Sequence, residues 1–207
     1  MLISDILEFD KKRSKVYIDG EFAFLLYKGE LRDYNIKINN ELSEGIYEEI
    51  TKELLPKRAT RRAMNLLQKK DYTEKQLRDK LSEGLYSGEA VDTAIEYVKS
   101  YHYLDDERYI RDYITYHMEL RSKNRIIQDL TGKGIKKDAI IPIMEELYSD
   151  EENDVEQEQI AVLLKKKHYA KDMEYKGKQK IMAFLLRKGY SMDSIKHSIE
   201  KYSENCN

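Results

Sequence analysis

Three stretches of this chain follow one pattern, and that pattern limits what the chain can fold into. "QLRDKLSEGLYSGEAVDTAIEYV" begins at Gln76, "RIIQDLTGKGIKKDAIIPIMEEL" at Arg125 and "KIMAFLLRKGYSMDSIKHSIEKY" at Lys180. Each holds an apolar-periodic helix, a glycine followed by an apolar residue, a polar restart and a second helix. The pairs are Gly84-Leu85, Gly134-Ile135 and Gly189-Tyr190, with the glycines 50 and 55 residues apart. Each glycine is placed as the left-handed residue that ends a helix. An amphipathic helix precedes each stretch, near 59–70, 106–120 and 155–168, so residues 57–202 read as three copies of a three-helix unit. Periods of this size imply stacked modules whose contacts run mainly between neighbours.

The first 28 residues read differently. In "SKVYIDGEFAFLLYK", Val16 and Ile18 alternate with polar positions; after Asp19-Gly20, Phe22, Phe24 and Leu26 alternate in turn. Asp-Gly between two alternating runs signals a hairpin. Ile3 to Phe9 supplies a third strand, with "DKKRS" as its turn. Such a sheet is marginal alone and must pack on something. Candidates are a short helix near Gly29 to Tyr34 and a longer one from about Ser43 to Leu55, and after Pro56 everything reads as helix.

Composition agrees with a mainly helical chain. Only 9 glycines and 2 prolines occur in 207 residues, too few for long irregular loops. The 17 tyrosines, beside 4 phenylalanines and no tryptophan, suit the half-buried surfaces of thin helical layers. A net charge of −2 argues against nucleic-acid binding by bulk charge. The charge is unevenly spread. Residues 1–56 are net acidic, whereas Ala161 to Tyr190 holds nine basic residues against Asp172 and Glu174, just after the acidic run "SDEENDVEQE". A lone Cys206 makes no internal disulfide and suits a reducing interior. The N-terminus lacks the basic start of a secretion signal, and no apolar run is long enough to span a membrane, so a cytoplasmic protein is expected.

"YLDDERY" at 103–109 raises the question of an acidic catalytic or metal site. Asp105 falls where a helix must begin, so its carboxylate is read as an N-cap. Asp106 and Glu107 then lie in the first turn, where the helix dipole favours negative charge. Leu104 and Tyr109 are spaced for a hydrophobic staple. The histidines at 102, 117, 168 and 197 show no metal-ligand spacing, and the acids lack the pattern of a calcium loop. "TGKGI" is too short for a phosphate loop and follows a helix. The reading is therefore no enzyme, no catalytic residue, no metal and no cofactor.

What remains is basic charge. Arg61, Arg62, Lys69, Lys70, Lys75, Arg78 and Lys80 cluster in the first unit. Arg121, Lys123, Arg125, Lys133, Lys136 and Lys137 flank the middle helix of the second. The third carries Lys178, Lys180, Arg187 and Lys188 within its lysine-rich run. Aligned along stacked modules, these make a stripe that can meet phosphates or an acidic protein groove; unaligned, they are ordinary solvated helix faces.

"RRAMNLLQKKDYTEKQLRDKL", "YHYLDDERYIRDYITYHMELRSKNRIIQDLTGKGI" and "IMAFLLRKGYSMDSI" resemble the RecX family, the regulatory proteins of the RecA recombinase. The likeness covers most of the chain, and the string at 103–109 with the following arginine-rich helix start and Lys133-Gly134-Ile135 is its most specific part. The resemblance implies three tandem three-helix repeats in an elongated, curved array after a small β-containing segment. The corresponding divisions are 1–56, 57–103, 104–150 and 151–207. It further implies a monomeric regulator that lodges in the groove of the RecA–DNA filament and restrains recombinase, ATPase and coprotease activity. It would meet single- or double-stranded DNA weakly or through RecA. Arg121, Lys123, Arg125 and Lys133 match the family's basic character, and Lys136, Lys178, Lys180, Arg187 and Lys188 extend the expected partner surface. Two departures stand out: Ser82-Glu83-Gly84 replaces a basic residue before the first glycine, and His102 replaces a common glycine. The competing expectation is a stand-alone DNA-binding helical repeat protein, since a three-helix unit can place one helix in a major groove.

Overall fold

The structure, a computed structural model, describes residues 1–149 and 155–205. Cys206, most of the acidic run after Ser149 and the division expected at 150/151 lie outside the described residues. The chain forms two compact units, Met1–Asp105 and Asp106–Asn207.

The first unit opens with an antiparallel sheet in the order β1 (Ile3–Glu8), β2 (Arg13–Ile18), β3 (Glu21–Tyr27). Asp19 and Gly20 take φ of 50° and 90°, the two positive values that a tight hairpin turn needs to match strand twist. The simple alternation expected for β3 does not hold along its whole length. Val16 pairs with Phe24 but Tyr17 pairs with Phe22, so Ala23 is an extra residue and the strand bulges there. Phe24 is thereby buried, whereas Phe22 is turned out and meets the Tyr17 ring edge-on at 5.9 Å.

After α1 (Lys28–Asp33), Ser43 caps α2 (Glu44–Glu48) by accepting from the Ile46 N–H. The helix expected to end near Leu55 instead continues past Pro56. The helix runs from α2 through a π-helical stretch (Glu49–Leu54) into α3 (Leu55–Leu67). A proline inside a regular α-helix loses a hydrogen bond and clashes with the carbonyl one turn earlier. The wider turn, in which the Leu55 N–H bonds the Ile50 carbonyl five residues back, lets the helix pass Pro56.

Helices α4 (Glu74–Ser82) and α5 (Gly88–Ser100) complete the unit. The sheet and the three helices share one core, in which Val16, Phe24 and Leu26 join Ile50, Leu77, Leu81 and Ile95. Small side chains at Ala59, Ala63, Ala90 and Ala94, all fully buried, allow α3 and α5 to pack closely. Arg58 ties sheet to helices: its guanidinium donates to the Leu25 carbonyl at 3.2 Å, pairs with Glu30 at 2.9 Å and lies over the Tyr27 ring.

The second unit holds α6 (Asp106–His117), α7 (Lys123–Gly132) and α8 (Lys137–Leu147), then α9 (Val155–Lys166), α10 (Tyr175–Arg187) and α11 (Met192–Asn205). Ile110, Ile114, Ile126, Leu130 and Ile140 form the core of the first trio. Ile160, Leu164, Leu185 and Ile195 do so for the second. The molecule is therefore mainly α, with three-helix modules following a small antiparallel sheet.

Two of the three helix-ending glycines behave as the spacing predicts. Gly134 and Gly189 have φ of 89° and 94°. The next N–H in each, from Ile135 and Tyr190, returns to the carbonyls of Leu130 and Leu185. Gly84 does not. The left-handed residue there is Leu85, at φ 59°, and a Cβ on Gly84 would stand 3.0 Å from both the Leu81 carbonyl and the Tyr86 ring. Gly84 thus serves close packing of Tyr86, one residue out of step with the other modules.

The acidic string also resolves in part. α6 starts at Asp106, directly after Asp105, with Asp106 and Glu107 in its first turn. Leu104 is buried in the core of the first unit, and Tyr109 packs against the first core of the second.

Candidate functional site

In the second unit, the arginines singled out from the sequence are not simple solvated charges. Asp129 on α7 is held between two of them. Arg121 reaches its Oδ2 at 2.5 Å and Arg125 its Oδ1 at 3.2 Å, the latter across one helical turn. Arg121 also donates to the Tyr113 hydroxyl at 3.1 Å. The Asp129 side chain is only 16% exposed, so this carboxylate aims both guanidinium groups from within the module. Lys133 stands over the Tyr113 and Tyr109 rings, at 5.5 and 6.0 Å from their centroids. Burial, then the Asp129 charge, pushes the Tyr113 hydroxyl above its usual range, so it stays a neutral hydrogen-bonding group.

His117 ends α6 against the same cluster, its ring 4.3 Å from that of Tyr113. Its Nδ1 is buried and makes no hydrogen bond. Burial, reinforced by Arg121 and Lys133 against the opposing pull of Asp129, holds its pKa below the ordinary imidazole value.

Polar contacts join the two trios of this unit. Ser122, the N-cap of α7, accepts from the Arg125 N–H and donates to the Lys188 carbonyl at 2.8 Å. Asn124 donates to the Gly189 carbonyl at 3.0 Å. Glu156 accepts the Lys123 N–H at 2.7 Å, a carboxylate laid on the positive end of α7. Gln159 completes the seam by donating to the Met118 carbonyl and accepting from the Tyr190 hydroxyl. Burial, then the Glu156 charge, pushes the Tyr190 hydroxyl up to about 12.

Beside this seam runs a groove of about 1020 Å³. Arg121 and Arg125 from the first trio line it together with Arg187 and Lys188 from the second. Val155, Glu158, Gln159, Val162 and Leu163 line it from a single face of α9, and Glu119 and Leu120 lie just ahead of Arg121. Sequence distance hides this grouping; the docking of α7 on the α10–α11 turn creates it.

The other expected surface residues fall elsewhere. Lys123 lies over the Tyr148 ring at 4.4 Å and Lys136 is exposed at the start of α8. Lys178 donates to the Lys171 carbonyl at 2.6 Å, and Lys180 is exposed on α10. Lys188 and Lys167 both lie over Phe184, at 5.4 and 4.7 Å. The sequence reading passed over Asp129, Ser122, Glu156 and Gln159. The Arg125–Asp129 spacing and the serine ahead of a helix were visible signals for two of them; nothing in the sequence pointed to the other two.

Among the described residues no group of three or more histidines, cysteines and carboxylates is placed to hold a metal ion. No helix of the described residues is long and apolar enough to cross a membrane. The groove sets basic side chains beside the exposed aliphatic side chains of Leu120 and Val162.

Comparison with known proteins agrees with the modules. Residues 59–97 match the model of the RecX first three-helix domain, and residues 154–199 that of the RecX third three-helix domain. The regulatory protein RecX of Clostridium perfringens (strain 13 / Type A) is 31% identical over 196 residues, 93% of this chain and 91% of the relative. That of Caldanaerobacter subterraneus subsp. tengcongensis is 30% identical over 201 residues, covering 96% and 98%. A crystal structure of regulatory protein RecX aligns over 95% of this chain and 98% of its own, with a TM-score of 0.61 at 23% identity. That of RecX from Lactobacillus salivarius aligns over 72% and 96%, with a TM-score of 0.64 at 24% identity. With relatives at this identity along nearly its whole length, and with its modules matched at both ends of the repeat, the chain belongs to the RecX family of regulatory proteins.

Proposed function

We propose that this protein is a non-enzymatic regulator that docks on the RecA–DNA filament in the cytoplasm and limits its extension, recombinase, ATPase and coprotease activities. The observation that supports this most is the convergence of Arg121, Arg125, Arg187 and Lys188 from two successive modules on one open groove, in a chain of the RecX family. A regulator of a polymer needs a surface assembled from several modules, because simultaneous weak contacts on neighbouring subunits raise the effective concentration of each. Lys123, Lys133, Lys136, Lys178 and Lys180 extend this partner surface beyond the groove.

The test is the DNA-dependent ATPase of RecA with this protein added at substoichiometric ratio. The expected result is a fall in rate together with co-sedimentation on RecA–single-stranded DNA filaments. An unchanged rate and no co-sedimentation would remove the proposal. Arg187→Ala with Lys188→Ala is the informative variant, since replacing Arg121 or Arg125 would also strand the half-buried Asp129 carboxylate. If tight, salt-dependent binding to bare duplex appears without RecA, the stand-alone DNA-binding reading takes its place.

A further inference from the structure

The cations of the groove are only half of its chemistry. Leu120 and Val162, which line it, are 73% and 66% exposed, among the most exposed large aliphatic side chains of the molecule. Leu120 immediately precedes Arg121, so an apolar and a basic group enter the groove side by side. Val155 and Leu163 add apolar surface from α9.

Charge decides what such a groove can accept. Arg121 and Arg125 already share Asp129, which leaves Arg187 and Lys188 as the lining cations without an ion pair among the described residues. Glu119 and Glu158 line the same groove. A phosphodiester strand brings one negative charge per nucleotide, would meet those two carboxylates, and finds no exposed ring on which a base can stack, since Tyr190, the one aromatic residue of the lining, is buried. A peptide with one or two carboxylates beside an apolar side chain fits both features. Its acids can bond the Arg187 guanidinium in the bidentate manner and its apolar group can cover the exposed aliphatics.

We propose that the groove between the second and third modules binds a short protein segment in which one or two apolar side chains are flanked by carboxylates. The inference deepens the filament reading and rests on it for the source of the segment. The groove is of the size that ligand-binding clefts reach, about 300–1,000 Å³.

The experiment uses the full chain, the paired variant Leu120→Ser with Val162→Ser, and the paired variant Arg187→Ala with Lys188→Ala. All four side chains are exposed, so far-UV circular dichroism should match the parent. Fluorescence anisotropy is read with a labelled dodecapeptide of aspartate and glutamate around a central leucine-phenylalanine pair, with its serine-serine twin, and with oligothymidylate. The parent should bind the apolar peptide about ten-fold more tightly than the twin, and the aliphatic variant should lose that preference. The arginine–lysine variant should weaken both peptides, and the aliphatic variant should be retained less on RecA–DNA filaments.

Equal binding of the two peptides by the parent overturns the proposal. So does full filament retention by the aliphatic variant while the parent also sediments, an outcome that leaves the filament reading intact. Loss of oligothymidylate binding in the aliphatic variant assigns the groove to nucleic acid and likewise overturns it. If the parent fails to sediment with filaments but still prefers the apolar peptide, the filament reading falls and the groove's specificity stands.

Discussion

Gly189 shows how much one position can carry. Its φ of 94° suits glycine, and a Cβ there would stand 2.6 Å from the Ser122 hydroxyl. Gly189→Ala is expected to cost at least about 1–2 kcal/mol from backbone strain alone, with more from the displaced seam, read as a lower urea midpoint. Gly132→Ala is the control: nothing lies within 4 Å of the added methyl, and the change should be neutral or stabilising. His102 and His168 also adopt left-handed backbone, at 56° and 53°, so the departure at 102 keeps the turn while giving up the residue best suited to it. His117 belongs to the same scale. Its pKa is depressed in the folded state, so the unfolded chain binds its proton more readily. The stability it contributes is present above its ordinary value, near pH 6.5, and is lost as pH falls below that. Urea midpoints measured from about pH 7.5 down to about pH 5 should therefore decline less in His117→Phe than in the parent.

At the scale of elements, the chain's capping signals did more than start helices. Ser122 begins α7 in the ordinary way by accepting from the Arg125 N–H, and the same hydroxyl donates to the Lys188 carbonyl of the neighbouring trio. Ser122→Ala removes both bonds and is expected to cost about 1–2 kcal/mol, the upper part of the range for a lost cap. It should also speed hydrogen exchange at the α7 start and the α10–α11 turn together, whereas loss of a purely local cap would affect α7 alone. The π-helical stretch before Pro56 teaches a related lesson. The proline marked a place where α geometry fails, but the helix on both sides was already paired with a core, so the chain widened one turn instead of stopping.

At the scale of the whole molecule, the sheet has no core of its own. It shares one with α3, α4 and α5, and Arg58 pins β3 to that core through the Leu25 carbonyl and α1 through Glu30. Residues 1–105 form one compact unit around that core. Expressed alone, this segment is expected to keep mixed strand and helix circular dichroism and to unfold cooperatively; a segment cut at residue 56 should not. Failure of 1–105 to fold would show that its core depends on the rest of the chain.

Much of this was legible in advance because it is local. The threefold glycine pattern, the Asp-Gly hairpin and the 3.6-residue periodicity rest on residues near one another in the chain, where backbone sterics and helix spacing set the outcome, and the RecX likeness was carried by the quoted motifs. The slips at Gly84 and Phe22 arose where packing overrode a local rule, through the Tyr86 ring in one case and a bulge in the other. The candidate site was legible only as a list of cations. Which of them are neutralised by Asp129, and which share a groove with Leu120 and Val162, depends on helix faces that meet only when distant segments dock. The sequence by itself determined the modules, because those follow from short-range geometry, and its motifs carried the RecX resemblance. Only the tertiary structure decided the surface, because charge and apolar contact act through space between residues the chain keeps far apart.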